Sequence, residues 1–376
     1  MKKFIAFLLS IVIIVSCTST AFATTQSDIS VAPTESSKKC VYIYSLECPE
    51  NYISFATEKI SDFLEASEFV GLIPCFLGTP FTFANTNSNV FYFPIYHFGE
   101  IICLLRVYSD SQGNIAGVLS KGFSEALNAI ADFTSAKDPL KIIFDGTNII
   151  FQNTQVERVV FNYPYNQIEC ADTECRKVLL DGIVTACSEN NSHAITLSPE
   201  TALRTNSSRY LDIFESNGRP LETQGSEEWC SAYSAAAILR YKGINGLCAR
   251  DIMEYFYNNP QDDDSLSVSH IYAYATVLGF NTAQIASTLS FTNLCNEINY
   301  DRPVFLVMHS GSTGAHEYHA IVLCGYNSLS AMYRIWNPWY DCYETIYSLN
   351  NYVPYRNNNY TFEYVETIYN WVRHLK

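Results

Sequence analysis

An α+β fold follows from the order in which the elements are read. The first half alternates β-branched and aromatic runs with hairpin turns around one helix. The second half sets helical patterns before a group of strands, with few βαβ units. Composition agrees, since 48% of the 376 residues are hydrophobic and only 16% charged, with 27 Tyr and 23 Phe. That suits packed strands and leaves no disordered bulk. At about 150 residues per domain, the length corresponds to roughly two domains.

The chain opens with Lys2-Lys3, an apolar run over residues 4–15 and the small-x-small end Ala21-Phe22-Ala23. Residues 1–23 therefore read as a signal peptide, too short in its apolar part to span a bilayer comfortably. The mature protein is expected to be secreted, with no stable membrane span. Ile14-Val15-Ser16-Cys17 supplies a second possibility, a lipoprotein anchored through Cys17.

Residues 24–200 read as a small α+β domain. Val41-Tyr42-Ile43-Tyr44 is a strand, and residues 101–108 and 115–119 form a hairpin across a polar turn. A second hairpin joins residues 141–144 to 148–151, with Asp145-Gly146 suited to a tight turn. Between them, residues 123–133 carry Ala126, Leu127, Ile130 and Phe133 on one side of a helix. Polar stretches at 188–193 and 205–209 separate this half from residues 201–376. There, a loop at Asn217-Gly218-Arg219-Pro220 leads to a helix beginning at Cys230. Helical patterns follow at 250–257 and 269–278, then strands at 304–308, 320–326 and 332–336.

A net charge of −15 with no basic stripe excludes nucleic acid as a partner. The chain has thirteen cysteines; setting aside Cys17 and Cys230 leaves an odd number, so at least one further thiol is free or paired between chains. There is no Cys-x-x-Cys pair, and the Cys and His residues are scattered, so neither a structural zinc site nor another cofactor is expected.

The chemistry gathers around Trp229-Cys230, at the mouth of the small-residue helix that runs on through Leu239. A thiol at a helix N-terminus meets the positive end of the helix dipole, which favours thiolate. Nucleophilic cysteine also needs a histidine and a polar group to orient it. His319 heads one strand and Asn337 ends the next, and antiparallel neighbours bring such positions together. His316 is the competing base, but His319 adjoins the apolar strand. Gln224, in a loop that Gly225 lets fold back over the helix start, supplies an oxyanion donor beside the Cys230 backbone N–H.

Gln224-Gly225, Trp229-Cys230-Ser231-Ala232-Tyr233, His319-Ala320-Ile321-Val322 and Ile335-Trp336-Asn337-Pro338-Trp339, in this order, resemble the papain-like cysteine proteases, most closely the staphopain group of secreted bacterial enzymes. The resemblance implies a papain-like catalytic domain, with a helical half carrying the Cys and an antiparallel half carrying the His and Asn. It gives Cys230 the role of nucleophile, His319 that of base and then acid, Asn337 that of orienting residue and Gln224 that of oxyanion donor. It also implies synthesis as a zymogen, with the segment from Thr24 to about residue 200 as an inhibitory propeptide and proteins or peptides as substrates. Tyr318 stands where the staphopain group has a glycine, an exchange that narrows the cleft on that side.

Other residues read as structural. His309 ends an apolar strand, and His97, His193, His270 and His374 have no partners near in sequence. Trp336 and Trp339 read as core aromatics that would also shield an Asn337 hydrogen bond from water. Asp262-Asp263-Asp264 lacks the spacing of a calcium loop and reads as solvated. The tyrosine-rich tail from Tyr340 to Tyr369 reads as strand surface, with a substrate-binding wall as its other use. Two further functions share the same dyad or scaffold: an amidase or acyltransferase acting on cell-wall peptides, and a non-catalytic exported binding protein.

Overall fold

A computed structural model describes residues 40–85, 89–110, 113–145, 148–162, 182–189, 192–195, 208–214, 222–310, 318–354 and 361–373. The leader at 1–23 with Cys17, Gly146, the 217–220 loop, His316 and His374 lie outside them.

The N-terminal half contains the strands β1 (Val41–Ser45), β2 (Cys75–Leu77), β3 (Val90–His97), β4 (Glu100–Ser109) and β5 (Ile115–Ser120). The strands β6 (Lys141–Phe144), β7 (Asn148–Gln152), β8 (Glu157–Asn162), β9 (Ile183–Cys187) and β10 (His193–Ile195) follow. Both expected hairpins form, as antiparallel β4–β5 and β6–β7. Two helices occur where one was expected, α1 (Glu50–Glu65) and α2 (Ser124–Ile130). In α1 the buried Tyr52, Ala56, Ile60, Phe63 and Leu64 recur at helical spacing. Aromatic and β-branched residues among them have weak helix propensity, so packing of that face, more than propensity, makes the helix. Phe133 is 49% exposed, because α2 ends at Ile130 and the chain tightens into a 3₁₀ turn over Ala131–Phe133 that turns the ring outward.

The C-terminal half holds β11 (Ser208–Tyr210), α3 (Cys230–Tyr241), α4 (Ala249–Phe256), α5 (Val268–Val277), β12 (Phe280–Ile285) and α6 (Phe291–Asn299). Its remaining strands are β13 (Val304–Ser310), β14 (Tyr318–Asn327), β15 (Met332–Trp336), β16 (Tyr343–Ile346) and β17 (Phe362–Arg373). Helices and antiparallel sheets thus make an α+β fold. The polar stretches near 190 and 207 are partly strand: β10 pairs with β2, and β11 with β14. Every residue of α3 from Ala232 to Leu239 is buried, the mark of a helix enclosed on all sides.

One large sheet runs in the order β10-β2-β3-β4-β5-β16-β15-β14-β13-β17-β12. It passes from one half of the chain to the other at β5–β16, where Ser120, Leu119 and Val118 face Glu344, Thr345 and Ile346. Two buried cations reinforce that junction. Arg334 Nη2 meets Glu68 Oε2 at 2.8 Å. Arg106, on β4 and fully buried, donates from Nη1 to the carbonyls of Val353 at 3.2 Å and Pro354 at 2.8 Å. No helix among the described residues is long and apolar enough to cross a membrane.

Replacing Arg106 with Met keeps the bulk and strands two buried carbonyls. The expected loss is about 2–6 kcal/mol of stability, from roughly 1–3 kcal/mol for each of the two stranded groups, read as a lower urea midpoint. An unchanged midpoint would show that this cation does not hold the junction.

Candidate active site

Cys230 is the first residue of α3, after Trp229 as N-cap. The turn before it is tied down by the 261–264 loop. Glu228 N–H donates to the Asp262 carbonyl at 2.6 Å, and the Trp229 indole donates to the Gln261 carbonyl at 3.0 Å. The acidic run is thus a brace for the thiol's turn as well as a solvated loop. On its inner side α3 packs on β14, with Ser234 Oγ donating to the Ala320 carbonyl at 3.0 Å. Burial pushes the Cys230 thiol pKa up. Hydrogen bonds to the sulfur from the Ala320 backbone and from Ser231 pull the other way, and the Glu228 charge adds to the rise. The helix end alone favours thiolate, but here desolvation outweighs it.

His319 and Asn337 meet as neighbours on β14 and at the end of β15, with His319 Nε2 and Asn337 Oδ1 2.9 Å apart. Both are buried. The amide's orientation is settled by its other partners. Asn337 Nδ2 donates to Tyr352 Oη at 3.0 Å, and Tyr352 Oη donates its proton to Glu344 Oε2. A hydroxyl that gives its proton to a carboxylate must accept from the amide. The Trp339 backbone N–H also points at Asn337 Oδ1, at 3.0 Å. Oδ1 therefore faces the ring, Nε2 carries the hydrogen, and Nδ1 is left as the basic nitrogen. The Trp339 ring stacks on His319 with centroids 3.8 Å apart at 18°, whereas Trp336 donates to the Tyr340 carbonyl and packs on Phe214.

Gln224 is buried, and its backbone N–H donates to the Pro338 carbonyl at 2.8 Å, so the loop ahead of the thiol is joined to the loop after Asn337. Its Nε2 donates to the Glu227 carbonyl. A Cβ at Gly225 would meet Glu227 Oε2 at 2.6 Å, so a larger residue there would displace the Glu227 carboxylate.

Gln224, Cys230 and His319 line one cleft of about 730 Å³. Asn337 lies behind it, fully buried. Tyr318 is on the cleft wall, 62% exposed, with its ring beside His309. Sequence reasoning missed three contributors to this site. Tyr352 and Glu344 anchor the amide from outside the motif. His270, read as surface or structural, lines the cleft while its Nδ1 takes the Ser267 N–H at 3.3 Å. The tail is less superficial than expected: Tyr340, Tyr343, Tyr352 and Tyr364 are buried, with Tyr343 on β16 between β15 and β5 and Tyr364 on β17 between β13 and β12. Among the described residues no cluster of His, Cys, Asp and Glu suited to a metal is present.

A family model described as "Peptidase_C39 like family" matches residues 217–365, which hold Gln224, Cys230, His319 and Asn337. An extracellular cysteine protease of Staphylococcus epidermidis is 26% identical over 41% of this chain and 94% of that protein. Another extracellular cysteine protease of Staphylococcus epidermidis is 26% identical over 41% of this chain and 42% of that protein. Staphopain A of Staphylococcus aureus is 22% identical across 99% of this chain and 100% of its own length. The chain is a relative of the staphopain-like cysteine proteases.

In this staphopain-like site the charge next to the thiol is adjustable. Glu228→Gln removes an influence that raises the Cys230 pKa, so the pH midpoint of Cys230 alkylation should move down. Ser231→Ala removes the side-chain hydrogen bond that lowers it and keeps the backbone one, so the midpoint should move up. Shifts of the opposite sign would contradict the assignment.

Proposed function

We propose that the protein is a secreted papain-like cysteine endopeptidase made as a preproenzyme. Residues 1–23 are the signal peptide, 24–200 the propeptide and 201–376 the peptidase domain. The observation that carries the reading is the buried chain Glu344–Tyr352–Asn337–His319, which leaves Nδ1 as the basic nitrogen of an imidazole that lines the same cleft as Cys230.

Burial raises the thiol pKa, so the imidazole's first task is to take its proton. As the sulfur bonds to the peptide carbonyl carbon, the proton passes to His319 Nδ1, and the carbonyl oxygen gains negative charge. The Cys230 backbone N–H, at the start of α3, and the second N–H of the Gln224 amide face that charge; one such donor typically contributes about 100- to 1000-fold in rate. Collapse breaks the C–N bond, the imidazolium protonates the leaving amine, and an acyl-enzyme remains. Water then attacks its carbonyl carbon, giving a proton to Nδ1; the C–S bond breaks, the carboxylic acid leaves, and Nδ1 returns the proton to the Cys230 sulfur. Asn337 and the Trp339 ring keep the imidazole in plane throughout.

The described part of the N-terminal half contributes no residue to the cleft. It reaches the catalytic half at β16, the strand of Glu344, and through Arg106 at the carbonyls next to Tyr352. An inhibitory propeptide on this reading acts from the side of the buried network. The extracellular relative supports export of the mature enzyme.

Cleavage of an unfolded protein such as reduced casein should be abolished in Cys230→Ala, with retention of an N-terminal segment that the wild type loses. Equal cleavage by both proteins would refute the proposal. Tyr352→Phe removes both hydrogen bonds that the hydroxyl makes in the orienting chain, from Asn337 and to Glu344, and should lower kcat at least about tenfold, for roughly 1.4 kcal/mol or more, with little change in KM. A change confined to KM would assign Tyr352 to substrate binding instead.

A further inference from the structure

The cleft floor carries a row of side chains that the chemistry above does not use. On β13, Val307 stands opposite Ala320 of β14 on one side and Glu366 of β17 on the other. Residues directly opposite in adjoining antiparallel strands project from the same face, and all three line the cleft. Glu366 therefore lies two strand spacings from Ala320, about 10 Å at roughly 4.8 Å each, and Ala320 directly follows His319. The surface between them is apolar. At the far end, Gln284 of β12 donates from Nε2 to Glu366 Oε1 at 2.8 Å, fixing the carboxylate. Among the described residues no Lys or Arg lines the cleft, and Glu228, on another wall, has the same sign as Glu366.

We infer that Glu366 selects a basic side chain in the peptide substrate. The inference rests on the peptidase reading and names its substrate class. Lys and Arg carry a charged head on an aliphatic stem that covers apolar surface while the head stays polar. Such a side chain, entering beside His319, lays its stem over Ala320 and Val307 and brings its cation to Glu366. There a charge-assisted hydrogen bond forms with a carboxylate that Gln284 has already oriented. An acidic side chain in the same place meets repulsion from Glu366 without a compensating cation. The net charge of −15 works in the same direction, raising the local concentration of cationic peptides.

The test is a set of quenched fluorescent peptides in which each of the four positions flanking the scissile bond carries Arg, Lys, Leu or Glu in turn, assayed with mature wild type, Glu366→Gln and Glu366→Arg. Wild type should prefer Arg or Lys over Leu at one position by about 10- to 100-fold in kcat/KM. The ratio should fall close to one in Glu366→Gln and turn toward Glu in Glu366→Arg. Active-site titration of Cys230 with a thiol reagent separates misfolding from altered choice. A basic preference that survives in both variants, or none in an active wild type, overturns the inference alone. A wild type that cleaves no peptide overturns the peptidase reading and the inference with it.

Discussion

The site depends on the hydrogen bond between His319 Nε2 and Asn337 Oδ1. An imidazole has two nitrogens and a ring that can turn, and a nucleophilic cysteine needs one chosen nitrogen facing it. On the proposed mechanism Asn337 makes that choice, and an amide makes it reliably only if its own two ends are told apart. Here a backbone N–H at the oxygen end and a tyrosine hydroxyl at the nitrogen end do so. Glu344 in turn settles the hydroxyl's proton. Full burial of Asn337 and Glu344 strengthens each link, since nothing from solvent competes.

The fold serves this chain of bonds at both ends. His319 and Asn337 lie at adjacent ends of paired strands, and α3, enclosed on all sides, is pressed onto β14 so that its first residue lies beside the same strand end. Gln224 is tied to Pro338, so the loop before the thiol and the loop after the asparagine move together. Glu344 belongs to the strand at which the N-terminal half joins the sheet, opposite Ser120. The halves are therefore connected through the backbone that carries the last member of the buried chain.

Much of this was legible in the sequence. The thiol at a helix start, the histidine heading one strand and the asparagine ending the next follow from periodicity and from antiparallel geometry, and they stand where that reasoning put them. The N-terminal hairpins were legible because their turns are polar and their strands β-branched. What escaped depended on distant contacts. The helix α1 is built from residues that also suit strands, and only its burial against the sheet decides between them. Tyr352 and Glu344 have no local signature, since a tyrosine eight residues beyond a glutamate acquires a role only when both are folded behind Asn337. Glu366 reads as one more exposed charge until β17 is paired on both sides. The thiol's raised pKa likewise comes from burial, which the helix-end argument does not contain.

The most direct measurement is to trap the acyl-enzyme. Mature protein is mixed with a peptide ester, quenched in acid within one turnover, and mapped by mass spectrometry. The account predicts the acyl group on Cys230 alone, near one per molecule, and its loss in His319→Ala. Acylation of another residue, or acylation of Cys230 that is indifferent to His319, would contradict it.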